Sequence, residues 1–168
     1  ASYPAPVTDA THADPATPPV KWSSIIVSAY LPTLMSSLGY GAVIPLIPLT
    51  AVHIGASAAL AAAIAALVGI GQIIGDVPAG WLVTKIGEKW SLVIAMLIDA
   101  VALVSMGLVH HLGLLAVAVF VNGMAGAVYG IARQNYLTVA IPYRYRARAL
   151  STLGGVFRVG WFVGPMAG

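Results

Sequence analysis

The sequence predicts an all-α bundle of membrane-spanning helices, and three observations lead to this fold class. Of the 168 residues, 60% are hydrophobic and only 8% are charged, whereas soluble domains carry about 25% charged residues. The apolar residues form runs of roughly 20 residues or more, which is the length a helix needs to cross a bilayer. Short polar stretches separate these runs. We therefore expect an integral membrane protein.

The first element, residues 1–22, is predicted to be a disordered cytoplasmic tail. Its first 20 residues read ASYPAPVTDATHADPATPPV, which is rich in Ala, Pro and Thr. Such a composition cannot bury enough apolar surface to fold. The stretch also lacks the basic start and apolar core of a signal peptide.

Residues 23–168 are predicted to form the transmembrane bundle. The five spans cover residues 23–50, 57–84, 90–109, 113–140 and 147–168. Pro32, Pro45 and Pro48 interrupt the first span. Spans longer than about 20 residues imply tilted helices, or helix ends that emerge from the lipid. Because the joints are short, neighbouring helices should lie antiparallel.

Basic residues in the joints predict the orientation. The first and third joints contain no Lys or Arg, the second contains Lys85 and Lys89, and the fourth contains Arg144, Arg146 and Arg148. Cytoplasmic loops of membrane proteins carry an excess of Lys and Arg. We therefore expect the second and fourth joints and the N-terminus to face the cytoplasm, in a multi-pass protein of the plasma or inner membrane.

Four ionisable residues fall within the spans: Asp76, Asp99, Arg133 and Arg158. Each would cost about 2.5–3.5 kcal/mol if it faced lipid at the bilayer centre. Depths counted at about 1.5 Å per residue match Asp99 with Arg158, and Asp76 with Arg133. The hypothesis is that these are ion pairs, or become so in some conformations. Either they neutralise buried charge, or Asp76 or Asp99 binds and releases protons or a cationic substrate.

Glycines recur at intervals of four residues on three spans, at Gly71/Gly75, Gly126/Gly130 and Gly160/Gly164/Gly168. This spacing lets helix backbones approach closely. Pro165 removes a backbone hydrogen bond and bends the last span. Plain tight packing and helices that bend or rock are both consistent with the pattern.

The turn between spans two and three carries a family resemblance. It reads GWLVTKIGEK over residues 80–89 and resembles the signature G-x-L-[AG]-D-[RK]-x-G-[RK]-[RK] of major facilitator superfamily transporters. The matching positions are Gly80, Leu82, Lys85, Gly87 and Lys89. Thr84 replaces the usual Asp and Glu88 replaces a basic residue. In the family that Asp belongs to a charge network that latches the two halves together, and Thr84 carries no charge.

The last span is similar to a second signature, G-x-x-x-G-P-x-x-G, associated in that family with proton-driven efflux antiporters. Gly160, Gly164, Pro165 and Gly168 match it. The fourth-helix signature R-x-x-Q-G is poorly kept, since Asn122-Gly123 stands for Gln-Gly and Val119 for Arg. The proton-relay role of that Arg is therefore not carried over. The resemblance covers residues 25–168.

The resemblance implies a secondary active transporter that exports a small molecule by alternating access, coupled to protons taken up at Asp76 or Asp99. Such a protein has about twelve helices, so we expect this chain to be the N-terminal half. A missing C-terminal half or a second chain would complete the bundle. The alternative is a non-transporting membrane subunit or assembly factor that keeps the fold.

Polar or aromatic candidates for lining a cavity are Tyr30, Tyr40, Asn122, Tyr129, Gln134 and Asn135. Interhelical hydrogen bonds or interfacial anchoring would explain each of them equally well. His110 and His111 have no third ligand nearby, which argues against a metal site. We expect no enzyme activity, no cofactor and no nucleic-acid partner; the expected partners are the lipid bilayer, a small-molecule substrate and protons.

Overall fold

The computed structural model describes residues 30–141 and 143–167, and the regular structure in these residues is entirely helical. The helices are α1 (Leu31–His53), α2 (Ala58–Leu108), α3 (Leu112–Ala140) and α4 (Tyr143–Ala167). The predicted all-α class is confirmed. The predicted tail and the first seven residues of the first predicted span lie outside the described residues.

Helix α2 is broken in the middle at Gly87. As a straight rod, its 51 residues would extend about 75 Å, more than twice the hydrocarbon thickness of about 30 Å. Gly87 has φ 81° and ψ 164°, a conformation that glycine adopts without steric cost. It divides α2 into a first arm, residues 58–86, and a second arm, residues 88–108. The described chain therefore forms five helical rods.

Three of the four helices are long and apolar enough to cross a membrane: Leu31–His53, Ala58–Leu108 and Leu112–Val139. Helix α4 is less apolar because it carries four arginines, at positions 144, 146, 148 and 158. The membrane boundaries of all five spans, and the crossing by α4, stay predictions.

Two apolar clusters lie towards opposite ends of α3. Leu115 and Val119, near its start, pack with Ile47 and Ile64 of α1 and the first arm of α2. Near its end, Leu137 packs with Ala149 and Leu153 of α4 and with Ile141, which follows α3. The turns of α3 between these clusters carry Asn122, Tyr129 and Arg133. These polar residues of α3 thus lie between the two apolar clusters.

The first arm of α2 packs against α3 through backbone contact. A Cβ atom added to Gly71 would overlap the carbonyl oxygen of Phe120, and one added to Gly123 would overlap that of Val68. Neither position has room for any side chain. The two glycines therefore set the separation of these helices.

Helices α1 and α4 meet in the same way. A Cβ atom on Gly164 would lie 2.6 Å from the Leu38 carbonyl oxygen and 2.7 Å from the Gly41 Cα. One on Gly160 would overlap the Ser37 hydroxyl. A Cβ on Gly130, by contrast, would meet nothing within 4 Å, so its spacing to Gly126 marks no close helix contact. Gly168 lies outside the described residues.

Candidate functional site

Asp99 is the centre of a polar cluster that joins three helical rods. The Tyr40 hydroxyl donates a hydrogen bond of 3.2 Å to its Oδ1 atom, and the Asn122 Nδ2 donates one of 2.5 Å to the same atom. Tyr40 comes from α1, Asp99 from the second arm of α2 and Asn122 from α3. Asn122 is only 2% exposed, so its amide is buried and satisfied by the carboxylate. We call these three residues the Asp99 cluster.

Helical spacing and one small residue build this cluster. Asn122, Gly126, Tyr129 and Arg133 follow one another at intervals of four, three and four residues, which places them on a single face of α3. A Cβ atom on Gly126 would lie 3.0 Å from the Tyr40 hydroxyl. The absence of a side chain there lets Tyr40 reach between α3 and Asp99.

Beside Asp99 lies a cavity of about 230 Å³ between α1 and the second arm of α2, which we call the carboxylate cavity. Its wall is largely apolar, with Met35, Met96 and Leu103 among its residues. Its polar residues are Ser36, Tyr40, Asp99 and Tyr129. Because both donors in the Asp99 cluster act on Oδ1, Oδ2 has no donor among the residues that the structure describes.

A second cavity, of about 320 Å³, is also lined by Tyr40 and Tyr129. We call it the arginine cavity. Its polar and aromatic wall consists of Ser36, Tyr40, Gln72, Asn122, Tyr129, Arg133, Phe157 and Trp161. Ser36, Tyr40 and Tyr129 also line the carboxylate cavity, and the Ser36 hydroxyl donates a 3.4 Å hydrogen bond to that of Tyr129. The two cavities therefore share a polar wall.

Arg133 has buried donors that no acceptor among the described residues satisfies. Its Nε and Nη1 atoms are buried and have no hydrogen-bond partner within the described part of the chain. The guanidinium lies 5.4 Å from the ring centroid of Tyr129 and 5.4 Å from that of Phe157. Ring contacts at this distance attract a cation, but they do not replace in-plane hydrogen bonds.

The structure does not bring together the ion pairs that depth predicts. Asp76 and Arg158 are both exposed, and Asp99 bonds to neutral donors. No salt bridge joins either pair in this conformation of the described residues. The physical reason is rotation about the helix axis, since each residue turns by about 100°. Phe157 lines the arginine cavity, and the next residue points elsewhere. Pairing in another conformation stays a prediction.

The cavity-lining candidates divide into two groups. Tyr40, Asn122 and Tyr129 line the arginine cavity. Tyr30 instead donates a 3.3 Å hydrogen bond to the Ala149 carbonyl oxygen. Gln134 and Asn135 are exposed and line another hollow, which Arg133 also borders. Residues that sequence reasoning missed are Ser36, Gln72, Phe157 and Trp161. A signal existed for Ser36, which lies one helical turn before Tyr40.

The turn motif lies at the surface. The Thr84 hydroxyl donates a 2.8 Å hydrogen bond to the Trp81 carbonyl oxygen, which is an interaction within its own helix. The Lys85 ammonium lies 4.9 Å from the Trp81 ring centroid. Lys85 and Lys89 are exposed, so neither binds an acidic partner inside the bundle.

The residues that line the two cavities lie within a region that is similar to known proteins. Residues 29–168 match the sequence profile of the Major Facilitator Superfamily. The chain is also 29% identical over 153 residues to the tetracycline resistance protein, class H, of Pasteurella multocida. That alignment covers 85% of this chain and 36% of the relative, so the chain spans well under half of the relative's length.

Proposed function

Because the chain belongs to the Major Facilitator Superfamily, we propose that it is part of a secondary transporter that exports a small molecule by proton-coupled alternating access. The family resemblance found in the sequence is confirmed by the profile match, and membership makes this a multi-pass membrane protein. We further propose that transport is coupled to protons and directed outward, and that the N-terminus lies in the cytoplasm. The protein would be located in the cell membrane, where a second half completes the bundle.

The observation that supports proton coupling is the environment of the Asp99 carboxylate. Its carboxylate lines a cavity and is held by a hydroxyl and an amide. A carboxylate with neutral partners can take up a proton without leaving an unpaired cation behind. Protonation also removes the cost of keeping a charge in apolar surroundings. Asp99 is therefore our candidate for the proton site, in preference to the exposed Asp76.

Tyr40 and Asn122 give this proton a route to influence the substrate. Both donate to Oδ1 of Asp99, and both line the arginine cavity. When a proton occupies the carboxyl group, Asp99 becomes a donor as well as an acceptor. Protonation at Oδ2, the oxygen without a donor, keeps the hydrogen bonds from Tyr40 and Asn122 to Oδ1 but weakens them, because it removes the negative charge. Loading of the proton would in this way change the shape and polarity of the substrate site.

Export is favoured by the relative, which is named as a resistance protein. Thr84, and Val119 at the fourth-helix Arg position, are two departures from the family signatures that favour the alternative of a non-transporting subunit. Neither departure removes the Asp99 cluster, and no contact in the described residues favours the alternative. The expectation that the protein is no enzyme follows from the same family membership and stays part of this proposal.

The test uses the full-length protein in proteoliposomes, with tetracycline as the probe because the relative is named for it. We expect an imposed pH gradient to drive probe accumulation, and an ionophore that collapses the gradient to stop it. Asp99→Asn should abolish gradient-driven accumulation, whereas the matched change Glu88→Gln in the surface turn should keep it. Accumulation that survives the ionophore would refute proton coupling. Loss in Asp76→Asn with normal transport in Asp99→Asn would move the proton site to Asp76.

A further inference from the structure

The arginine cavity contains a charge that nothing in the proposed proton site uses. Arg133 has two buried nitrogen atoms, Nε and Nη1, without a hydrogen-bond partner among the described residues. Buried charges in proteins are paired or fully hydrogen-bonded, because an unsatisfied one loses its hydration without compensation. The cavity that Arg133 lines therefore contains a positive charge whose Nε and Nη1 donors lack an acceptor among the described residues.

No acidic side chain of the described chain supplies the missing partner. Among the described residues that line the arginine cavity there is no Asp or Glu. Asp99 accepts from Tyr40 and Asn122 across the shared wall, Asp76 is exposed, and Glu88 follows the break in α2. A partner for Arg133 must come from outside this set, and the cavity offers about 320 Å³ in which to place one. Ligand cavities span about 300–1,000 Å³, so a small organic molecule fits.

The residues that line the arginine cavity indicate which class of ligand it binds. Phe157 and Trp161 provide aromatic surface, and Gln72 provides an amide at the same cavity. Arg133 is the only cationic residue on the described wall, which matches one negative charge. A guanidinium presents its donors in a planar fork that suits a carboxylate.

We propose that the arginine cavity binds a small aromatic monocarboxylate, with Arg133 holding the carboxylate and the aromatic side chains covering the ring. This inference rests on the proposed transport function, for which it names the substrate class. The cavity would bind an uncharged analogue only weakly, because the analogue leaves the Arg133 donors unsatisfied.

The test is equilibrium binding by calorimetry to the full-length protein in detergent at neutral pH, without any ion gradient. The probes are 1-naphthoate and its uncharged isostere 1-naphthamide. We expect the carboxylate to bind at least tenfold more tightly than the amide. Arg133→Gln should remove this preference and leave amide binding unchanged. The charge-matched control Arg148→Gln changes an exposed arginine of α4 and should keep the preference.

A second variant keeps the test informative if Arg133→Gln does not fold. Gln72→Glu puts an acidic side chain on the wall of the same cavity and should weaken naphthoate binding at least tenfold while sparing the amide. Equal binding of the two probes to the wild-type protein would overturn the inference, as would a preference that survives Arg133→Gln. Because no gradient is involved, failed proton coupling would leave this result intact, and failed binding would leave gradient-driven tetracycline transport intact.

Discussion

The Asp99 cluster and the arginine cavity share a wall, yet they treat their charges in opposite ways. Asp99 receives two hydrogen bonds from residues on two other rods. Arg133 has two buried donors, Nε and Nη1, without an acceptor in the described chain, and its guanidinium lies near the rings of Tyr129 and Phe157. The difference teaches that depth in a membrane does not define the role of a charged residue. What distinguishes the two is whether the fold itself supplies the hydrogen-bond partners.

Gly71→Val is expected to have the largest effect, because it disrupts both the Asp99 cluster and the arginine cavity. Gly71→Val puts a branched side chain against the Phe120 carbonyl, a backbone atom that cannot rotate away. We expect a loss of more than about 3 kcal/mol of stability. Helix α3 must move away from the first arm of α2, taking Asn122 from Asp99 and opening the arginine cavity. Thermal unfolding of the purified protein measures it.

The control for that prediction is Gly69→Val, two residues away on the same arm. A Cβ atom on Gly69 would meet nothing within 4 Å. It should unfold at nearly the wild-type temperature. Equal destabilisation by both variants would show that the glycines act through helix propensity rather than through the contact with α3.

The next effect is confined to the satisfied charge. Asn122→Ala removes the 2.5 Å donor to Asp99, and we expect a loss of about 1.5–3 kcal/mol, as for hydrogen bonds to charged groups. Gln134→Ala is the matched control, because it removes an exposed amide from the same helix. If both variants unfold at the same temperature, Asn122 does not stabilise the carboxylate.

At Arg133 we expect the opposite sign. Arg133→Met removes two unsatisfied buried donors and keeps an apolar chain of similar length. Without ligand, the variant should be more stable by about 1 kcal/mol, which is the recovered desolvation cost less the two ring contacts. The same unfolding measurement checks this. A clear loss of stability would mean that Arg133 has a partner in the full-length protein.

The smallest effect concerns the shared wall. Ser36→Ala removes the long 3.4 Å hydrogen bond to Tyr129, and interhelical hydrogen bonds in membranes average about 0.6 kcal/mol. Ser105→Ala is the control, since the Ser105 hydroxyl bonds only to its own helix at the Val101 carbonyl. A loss above about 2 kcal/mol for Ser36→Ala alone would make the wall a major stabilising element.

Much of the fold could be predicted from the sequence, because apolar runs and helix length are local properties. Gly87 was recognisable as a turn from its motif, and the structure gives it a positive φ of 81°. The partners of Asp99 were not predictable in the same way. In the sequence, Asn122 is a departure from a signature and a candidate for lining a cavity, but neither pattern pairs it with Asp99. Its contact with Asp99 depends on how closely α3 approaches the second arm of α2 and on the rotation of each helix.

Arg133 shows the limit of such reasoning more sharply. Counting residues gave its depth and suggested Asp76 as its partner, but Asp76 is exposed on the first arm of α2. Whether a buried guanidinium is satisfied depends on every side chain around it. That includes Phe157 of α4, which approaches Arg133 to 5.4 Å although 24 positions separate them in the sequence.

The shared wall has a thermodynamic consequence of its own. Tyr40 and Asn122 contact the carboxylate of Asp99 and also line the arginine cavity. We therefore expect a proton on Asp99 to change the free energy of anion binding in the arginine cavity. Linkage makes that influence reciprocal. The factor by which a bound anion changes the proton affinity of Asp99 equals the factor by which protonation changes the anion affinity. Equilibrium binding of the anion, measured at two pH values, would therefore give the coupling free energy without a transport assay.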